Sequence, residues 1–285
     1  MSDWGQGAKN NNIGWGQGAV NNDISWGSVH ADSWAGDTNI IGFAYDSTYQ
    51  SILDYATTNG YTLPNDVQKL KQNQLLIDLK AAGIWDKLDT FALFATNGSS
   101  QFALIDWKRL INYEAVSNPT FTTNEGFTGN GTASYIDTKF NPTIGTNNYK
   151  LNNASRYLYM FMANGTNALD GIETINTNRM LRSTVSTQTI NQGSSTLSST
   201  FNFTNVKGIK SIHRTSSTNV QLFNDTTGES KTATSTSLEN KNQFILRSGT
   251  TNYGAHEISM YAMGASLVSE NTSFVNAINT YMTGL

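Results

Sequence analysis

Cysteine is absent from the 285-residue chain, so neither a disulfide framework nor a thiolate metal site can form, and cysteine usage says nothing about the redox compartment. Stability has to come from packing. Charge is scarce too: Asp, Glu, Lys and Arg make up 14% of the residues, the formal net charge is −3, and no run of basic residues occurs. That balance argues against a nucleic acid or an anionic membrane surface as partner. No stretch of about 18 apolar residues occurs that could span a bilayer. The chain does not open with a basic segment followed by an apolar one, so export by a standard signal is not expected. A glycine-rich phosphate loop ahead of a helix is missing as well.

What is abundant is Asn, Thr, Ser and Gly, a mixture that suits exposed strands and turns and predicts an all-β body. The first residues repeat: WGQGAKNNNIG, then WGQGAVNNDIS, then WGSVHADS followed at once by WAGDTNI. Trp4, Trp15 and Trp26 keep an 11-residue beat, and Trp34 follows after 8. Each unit holds one indole and a single aliphatic residue such as Ile13 or Ile24, too little apolar surface for a core of its own. A helix is excluded by Gly5, Gly7, Gly14, Gly16 and Gly18, each costing about 1 kcal/mol relative to Ala. An extended arm remains, offering indoles that each bury about 200 Å² once docked. A plain Gly/Asn-rich linker is the alternative, but it needs no tryptophan at fixed intervals.

After the arm the period lengthens to that of helices. Tyr49, Ile52, Leu53 and Ala56 form one stripe behind Asp46-Ser47 and stop at Asn59-Gly60. Pro64 starts a second, longer helix whose apolar stripe is Val67, Leu70, Ile77, Ala81 and Ile84. From Thr90 onward short apolar runs alternate with turn residues: 91–95, 102–105, 134–137, 157–162, 201–203, 220–223, 244–246 and 258–263. This is the punctuation of an antiparallel sandwich. Tyr157–Met162, apolar throughout, predicts a strand buried on both faces. Phe274, Ala277, Ile278 and Tyr281 close the chain with a helix over 271–283. The expected organisation is an arm over 1–42, a helical segment with short strands over 43–119, and a β-sandwich with its terminal helix over 120–285.

Four stretches, FTGNGTASYIDTKFNP (Phe127–Pro142), SIHRTSSTNVQLFNDTTGE (Ser211–Glu229), FILRSGT (Phe244–Thr250) and EISMYAMGASLVSENTSFVNAINTYM (Glu257–Met282), together resemble the concanavalin A-like, laminin G-type jelly roll of phage and bacterial surface proteins. The opening repeat with AAGIWDKLDTFALFATNG (Ala81–Gly98) is similar to virion structural proteins of tailed phages infecting Bacteroidetes. The first resemblance implies a mainly β fold, an antiparallel sandwich behind the arm. The second implies a head or tail appendage: a homo-oligomer at the particle surface, anchored through Trp4, Trp15, Trp26, Trp34, Ile13 and Ile24 to other virion proteins. The fibrous repeats of a slender shaft are missing.

Chemistry is sparse. Hydrolases on such sheets carry Glu-x-Asp-x-x-Glu on one strand, and no such triplet occurs. Asp170-Gly171-Ile172-Glu173 and Asp86-Lys87-Leu88-Asp89 have the wrong spacing and read as solvated loop or cap residues. His30, His213 and His256 stand alone in sequence and read as hydrogen-bonded structural residues. No enzyme, metal site or cofactor is expected. A glycan site needs only exposed aromatics with amide or hydroxyl partners; Tyr149, Tyr157 and Tyr253 with Asn148 and Asn252 are the candidates. The alternative to a virion component is a free-standing carbohydrate-binding adhesin domain.

Overall fold

Burial on both faces is the demand that Tyr157–Met162 makes of the fold, and a two-layer sandwich with helices on its outer side meets it. A computed structural model describes residues 44–165, 167–174, 178–182, 188–192, 203 and 207–285. The arm residues and the expected strand's Phe201 and Asn202 lie outside these. Asp46–Leu285 forms one compact unit, so the helical segment expected over 43–119 and the sandwich expected over 120–285 share it.

An eight-stranded antiparallel sheet runs in the order Thr227–Thr232, Asn219–Asn224, Gly208–Arg214, Ala154–Met162, Glu257–Gly264, Gly126–Thr128, Thr120–Thr122, with Leu88–Leu93 also paired to Glu257–Gly264. Facing it, a five-stranded sheet runs Met180–Leu181, Ala168–Gly171, Phe244–Ile245, Tyr135–Asp137, Glu114–Val116. Between the two lie Leu158, Met160, Ile212, Val220, Leu222, Ile258, Tyr261 and Met263 from the first sheet and Ile136, Leu169, Met180 and Ile245 from the second. Side chains of opposite parity, including Tyr157, point to the outer face. There the helix α4 (Asn271–Thr283) covers them: the Tyr157 ring lies 4.3 Å from Phe274 and 4.9 Å from His213. Of the apolar run, Tyr157–Met160 is buried, Phe161 is half-buried and Met162 is exposed where the strand leaves the sheet. Gly126 holds φ at 128°, and a Cβ there would stand 2.1 Å from the Ile258 carbonyl oxygen; only glycine lets the Gly126–Thr128 strand approach so closely.

Helix α1 (Ser47–Thr58) starts where Asp46 accepts a hydrogen bond from the Thr48 amide, an N-cap, and buries its expected stripe of Tyr49, Ile52, Leu53 and Ala56. Helix α2 (Asp66–Ala81) is turned away from its expected face. Val67, Leu70, Ile77 and Ala81 are exposed, Ile84 of the expected stripe is buried but lies beyond the helix, and Gln68, Gln72, Asn73, Leu75, Leu76 and Leu79 are buried. The amides face inward because the neighbouring chain needs them. Gln68 Oε1 accepts from the Asn97 amide (2.5 Å) and the Thr96 hydroxyl (3.0 Å). Gln72 accepts from the Tyr49 hydroxyl (2.7 Å) and donates to Thr96 and Tyr281 (both 3.2 Å), and Asn73 accepts from the Asp46 amide (2.8 Å). Buried donors and acceptors without such partners would each cost about 1–3 kcal/mol.

A third difference concerns 102–105, expected as a strand. Ser99 caps a one-turn helix, α3 (Ser100–Ala103), by accepting from the Phe102 amide, and only Ile105–Asp106 is extended. Likewise Leu246, with φ of 66°, interrupts the 244–246 run and sends Arg247–Ser248 to pair with Asn252–Tyr253.

Candidate functional site

Three segments meet at one end of the five-stranded sheet because their strands alternate in direction. Tyr135–Asp137 and Ala168–Gly171 both run antiparallel to Phe244–Ile245. The chain leaving the first two and the chain entering the third therefore emerge together. They enclose a cleft of about 270 Å³ lined by Asn141, Glu173, Asn240, Lys241, Asn242 and Phe244. The walls are held by backbone bonds: Gln243 N donates to the Phe140 carbonyl (2.9 Å), and Thr138 donates to the Gln243 carbonyl through its amide (3.1 Å) and its hydroxyl (2.7 Å).

Side-chain amides dominate the rim. Asn141 Nδ2 donates to Asn240 Oδ1 at 2.8 Å, which also accepts from the Thr143 hydroxyl at 2.9 Å. Asn242 Nδ2 donates to both Asp137 carboxylate oxygens at 3.2 Å. Lys241 and Glu173 form an exposed ion pair at 3.2 Å across one side, which solvent makes weak. Phe244, a buried side chain, reaches the lining with its edge of exposed surface. Its ring meets Tyr135 edge-on at 5.1 Å, and the Arg247 guanidinium lies 4.7 Å from Phe244, 4.6 Å from Tyr135 and 5.7 Å from Tyr253. This cation–π cluster holds the three rings together beside the cleft.

The candidate glycan residues are scattered. Tyr149 is buried, its hydroxyl donating to Asn191 (3.0 Å), and burial pushes it up to about 12. Tyr157 is buried under α4 and donates to Asn271 (3.1 Å). Neither ring can lie against a saccharide, because both are fully buried. Asn148 donates to the Asp86 carbonyl and, through its backbone amide, to Asp89. Asn252 accepts from the Ala168 amide, and Tyr253, half-buried, donates to the Thr250 carbonyl. Of the five, Tyr253 alone touches the cleft's support, through Arg247. The cleft residues themselves went unseen in the sequence because they are separated by up to a hundred positions in an Asn-rich chain; the one local signal is Asn240-Lys241-Asn242 ahead of an apolar strand. Trp4, Trp15, Trp26, Trp34, Ile13 and Ile24 lie outside the described residues.

Asp170 is no solvated loop residue. It is fully buried on the Ala168–Gly171 strand, where Arg156 Nη1 donates to it at 3.1 and 3.2 Å, the Tyr261 hydroxyl at 2.9 Å and the Met180 amide at 2.8 Å. Arg156 also donates to the carbonyls of Asn178 (2.8 Å) and Thr189 (2.6 Å). Burial raises the Asp170 carboxyl although Arg156 opposes it. This network ties the two sheets together and is closed to substrate. His213 and His256 are buried and hydrogen-bonded: His213 pairs with Ser211 and accepts from the Leu267 amide, and His256 accepts from the Asn164 amide. Burial drives them down to about 3 and about 4, so both are neutral at pH 7. Among the described residues no group of three or more His, Asp or Glu is placed to hold a metal ion, and no helix is long and apolar enough to cross a membrane.

No protein-family model and no curated protein matches the chain. Among solved structures it is similar to a mutant of Trypanosoma rangeli sialidase displaying trans-sialidase activity, with 12% identity over 76% of this chain and 40% of that one and a TM-score of 0.45. A botulinum neurotoxin serotype D binding domain has 12% identity over 68% and 52%, with a TM-score of 0.44. Domain 4 of an extracellular arabinanase from Geobacillus stearothermophilus, in complex with arabinotriose, has 12% identity over 66% and 98%, with a TM-score of 0.38. The chain thus spans less than two thirds of the sialidase and toxin chains it matches, and no residue's role passes from them at such identities. The chain's own sheets define its class: a mainly β protein built as an antiparallel sandwich.

Proposed function

We propose that the protein is a non-enzymatic display module whose sandwich binds a neutral saccharide in the Asn-lined cleft of the five-stranded sheet, and whose Trp-Gly arm anchors it to a tailed-phage virion. The observation that carries the binding reading is the cleft's lining. Amides of Asn141, Asn240 and Asn242 line the cleft, and side chains that carry both donors and acceptors match the hydroxyls of a sugar. Its one exposed carboxylate, Glu173, is ion-paired with Lys241, and among the described residues that line the cleft there is no second carboxylate to form an acid–base pair with it. The anchoring reading rests on the tryptophan beat, since equivalent units at regular intervals suit the repeated pockets of a symmetric particle.

The test is a glycan array probed with the full chain, followed by Asn240→Ala and Asn242→Ala. Both variants should keep the native melting temperature and bind the recognised saccharide at least tenfold more weakly. A blank array, or binding indifferent to both substitutions, overturns the reading. For the anchor, Trp4, Trp15 and Trp26 are changed together to Ala. The body should stay folded and the protein should be lost from particles; normal incorporation contradicts it. A free-standing adhesin is the second reading, favoured if electron micrographs of the source show no particles while glycan binding persists.

A further inference from the structure

Among the described residues the chain holds four Asn-Gly pairs: Asn59-Gly60, Asn97-Gly98, Asn130-Gly131 and Asn164-Gly165. In such a pair the glycine amide nitrogen can close on the asparagine side-chain carbon, and a glycine, with no Cβ, puts nothing in its way. The fold decides whether it does, because nucleophile and target have to be free to come together.

Three of the pairs are tied at both groups. The Asn59 side-chain amide donates to the Tyr55 carbonyl (2.8 Å), and the Gly60 amide donates to the Thr57 carbonyl (3.0 Å). Asn97 Oδ1 accepts from the Asn65 amide (3.0 Å), and the Gly98 amide donates to the Thr96 hydroxyl (3.1 Å). Asn130 Oδ1 accepts from the amides of Thr132, Ala133 and Ser134 (3.0, 2.8 and 2.9 Å), and the Gly131 amide donates to the Gly254 carbonyl (3.2 Å). The fourth pair differs. Asn164 and Gly165 are exposed in the loop between the Ala154–Met162 and Ala168–Gly171 strands, and neither the Asn164 side chain nor the Gly165 amide is bonded to a described residue.

We propose that Asn164-Gly165 is a self-modification site, at which the folded chain loses ammonia and acquires an aspartate or an isoaspartate. The Gly165 nitrogen gives its proton to solvent and attacks Cγ of Asn164. The N–Cγ bond forms, the Cγ–Nδ2 bond breaks, and the amide group takes up a proton and leaves as ammonia from a cyclic imide. Water then adds to one of the two imide carbonyl carbons, and the ring opens to aspartate or to isoaspartate. Water is the only co-reactant, and nothing is oxidised or reduced.

The position gives this chemistry a structural consequence. His256 spans the loop, its Nδ1 accepting from the Asn164 amide (3.0 Å) and its Nε2 facing the Asn167 carbonyl (3.3 Å), while Arg182 donates to the Gly165 carbonyl between them. Isoaspartate lengthens the main chain between the two His256 contacts by one atom, so both cannot be kept. The new carboxylate stands one residue from the carbonyl that Arg182 holds. The loop enters the Ala168–Gly171 strand at the end away from the cleft, so the inference does not depend on the saccharide or anchoring readings.

The test is to age the native full chain at pH 8 and map its peptides by mass. Conversion adds about 1 Da and should run about tenfold faster at Asn164 than at Asn59, Asn97 or Asn130, which must first give up two hydrogen bonds. In guanidinium, where those bonds are gone, the four should convert at similar rates. Asn164→Gln should abolish the fast site without changing the melting temperature. In the converted protein the His256 ring resonances should move while those of His213 stay. A native chain that converts no faster at Asn164 than at the other three overturns the proposal, and so does an order of rates that persists in guanidinium, which would assign the selection to local sequence instead of the fold. His256 resonances indifferent to complete conversion overturn the consequence drawn for the loop.

Discussion

The central strands of the eight-stranded sheet, Gly208–Arg214, Ala154–Met162 and Glu257–Gly264, are long and largely buried between the second sheet and α4, whereas the five-stranded sheet is made of strands of two to four residues. In the large sheet, extended pairing and apolar area supply the cohesion. The small sheet has little of either, and its place is set by polar links to its neighbour, above all Arg156–Asp170–Tyr261. The difference explains where a site can arise. The buried centre of the large sheet has no room for a ligand, and short strands that end together leave a cleft between their loops.

The comparison breaks most severely if those links are cut. Asp170→Asn or Arg156→Met leaves a buried charge without its partner and should cost about 3–5 kcal/mol in urea unfolding. Replacing both, as Arg156→Met with Asp170→Leu, should cost less than either single change, because no orphaned charge remains. Hydrogen exchange in the Asp170→Asn variant should accelerate first at Tyr135–Asp137 and Phe244–Ile245 and last at Gly208–Arg214. Uniform acceleration would mean that the two sheets do not differ as described.

Acid should act next, and on the large sheet. His213 and His256 titrate at about 3 and about 4 when folded because burial penalises their charged forms, against about 6.5 when unfolded. Between pH 6.5 and about 4 the unfolded chain binds more protons than the native one, so stability falls as the pH drops through that window and is fully present above it. At pH 5 the loss is about 2 kcal/mol per histidine. His213→Gln should remove about half of this acid sensitivity in denaturation curves taken at pH 7 and pH 5.

The smallest effects lie on α2, where exchanging polar and apolar character should have opposite consequences on its two sides. Gln72→Leu strips the Tyr49, Thr96 and Tyr281 hydroxyls of a partner and should cost about 1–3 kcal/mol. Leu70→Gln, on the exposed side, should change the melting behaviour of the monomer by no more than about 0.5 kcal/mol.

That helix also shows why sequence periodicity reads some elements and misreads others. The Tyr157–Met162 strand was legible because a short run apolar at both parities, bounded by turn residues, suits a strand buried on both faces, as Tyr157–Met160 is. Helix α1 was legible from its cap and single stripe. Helix α2 carries two stripes, Val67–Leu70–Ile77–Ala81 and Gln68–Gln72–Leu75–Leu76–Leu79, and hydrophobicity alone prefers the first. What decides is the need of the 95–97 backbone and the Thr96, Tyr49 and Tyr281 hydroxyls for amide partners, which belongs to tertiary structure. Gly208–Arg214 shows the same problem in a strand: Lys210, Ser211, His213 and Arg214 are all buried, so its polarity conceals its place at the centre of the large sheet. The cleft was illegible for a different reason. It is assembled from Asn141, Glu173 and Asn240–Asn242, which only the strand order brings together, while Tyr149 and Tyr157, chosen for being aromatic, were recruited to the core.

The most direct test of the central claim, that the open end of the small sheet is the binding site, is to follow backbone and side-chain amide resonances while neutral oligosaccharides are titrated into the full chain. The account predicts shifts confined to Asn141, Glu173 and Asn240–Asn242, with the Arg247–Ser248 strand responding weakly behind them. Shifts that are absent, or that centre on the large sheet's outer strands Asn219–Asn224 and Thr227–Thr232, would contradict it.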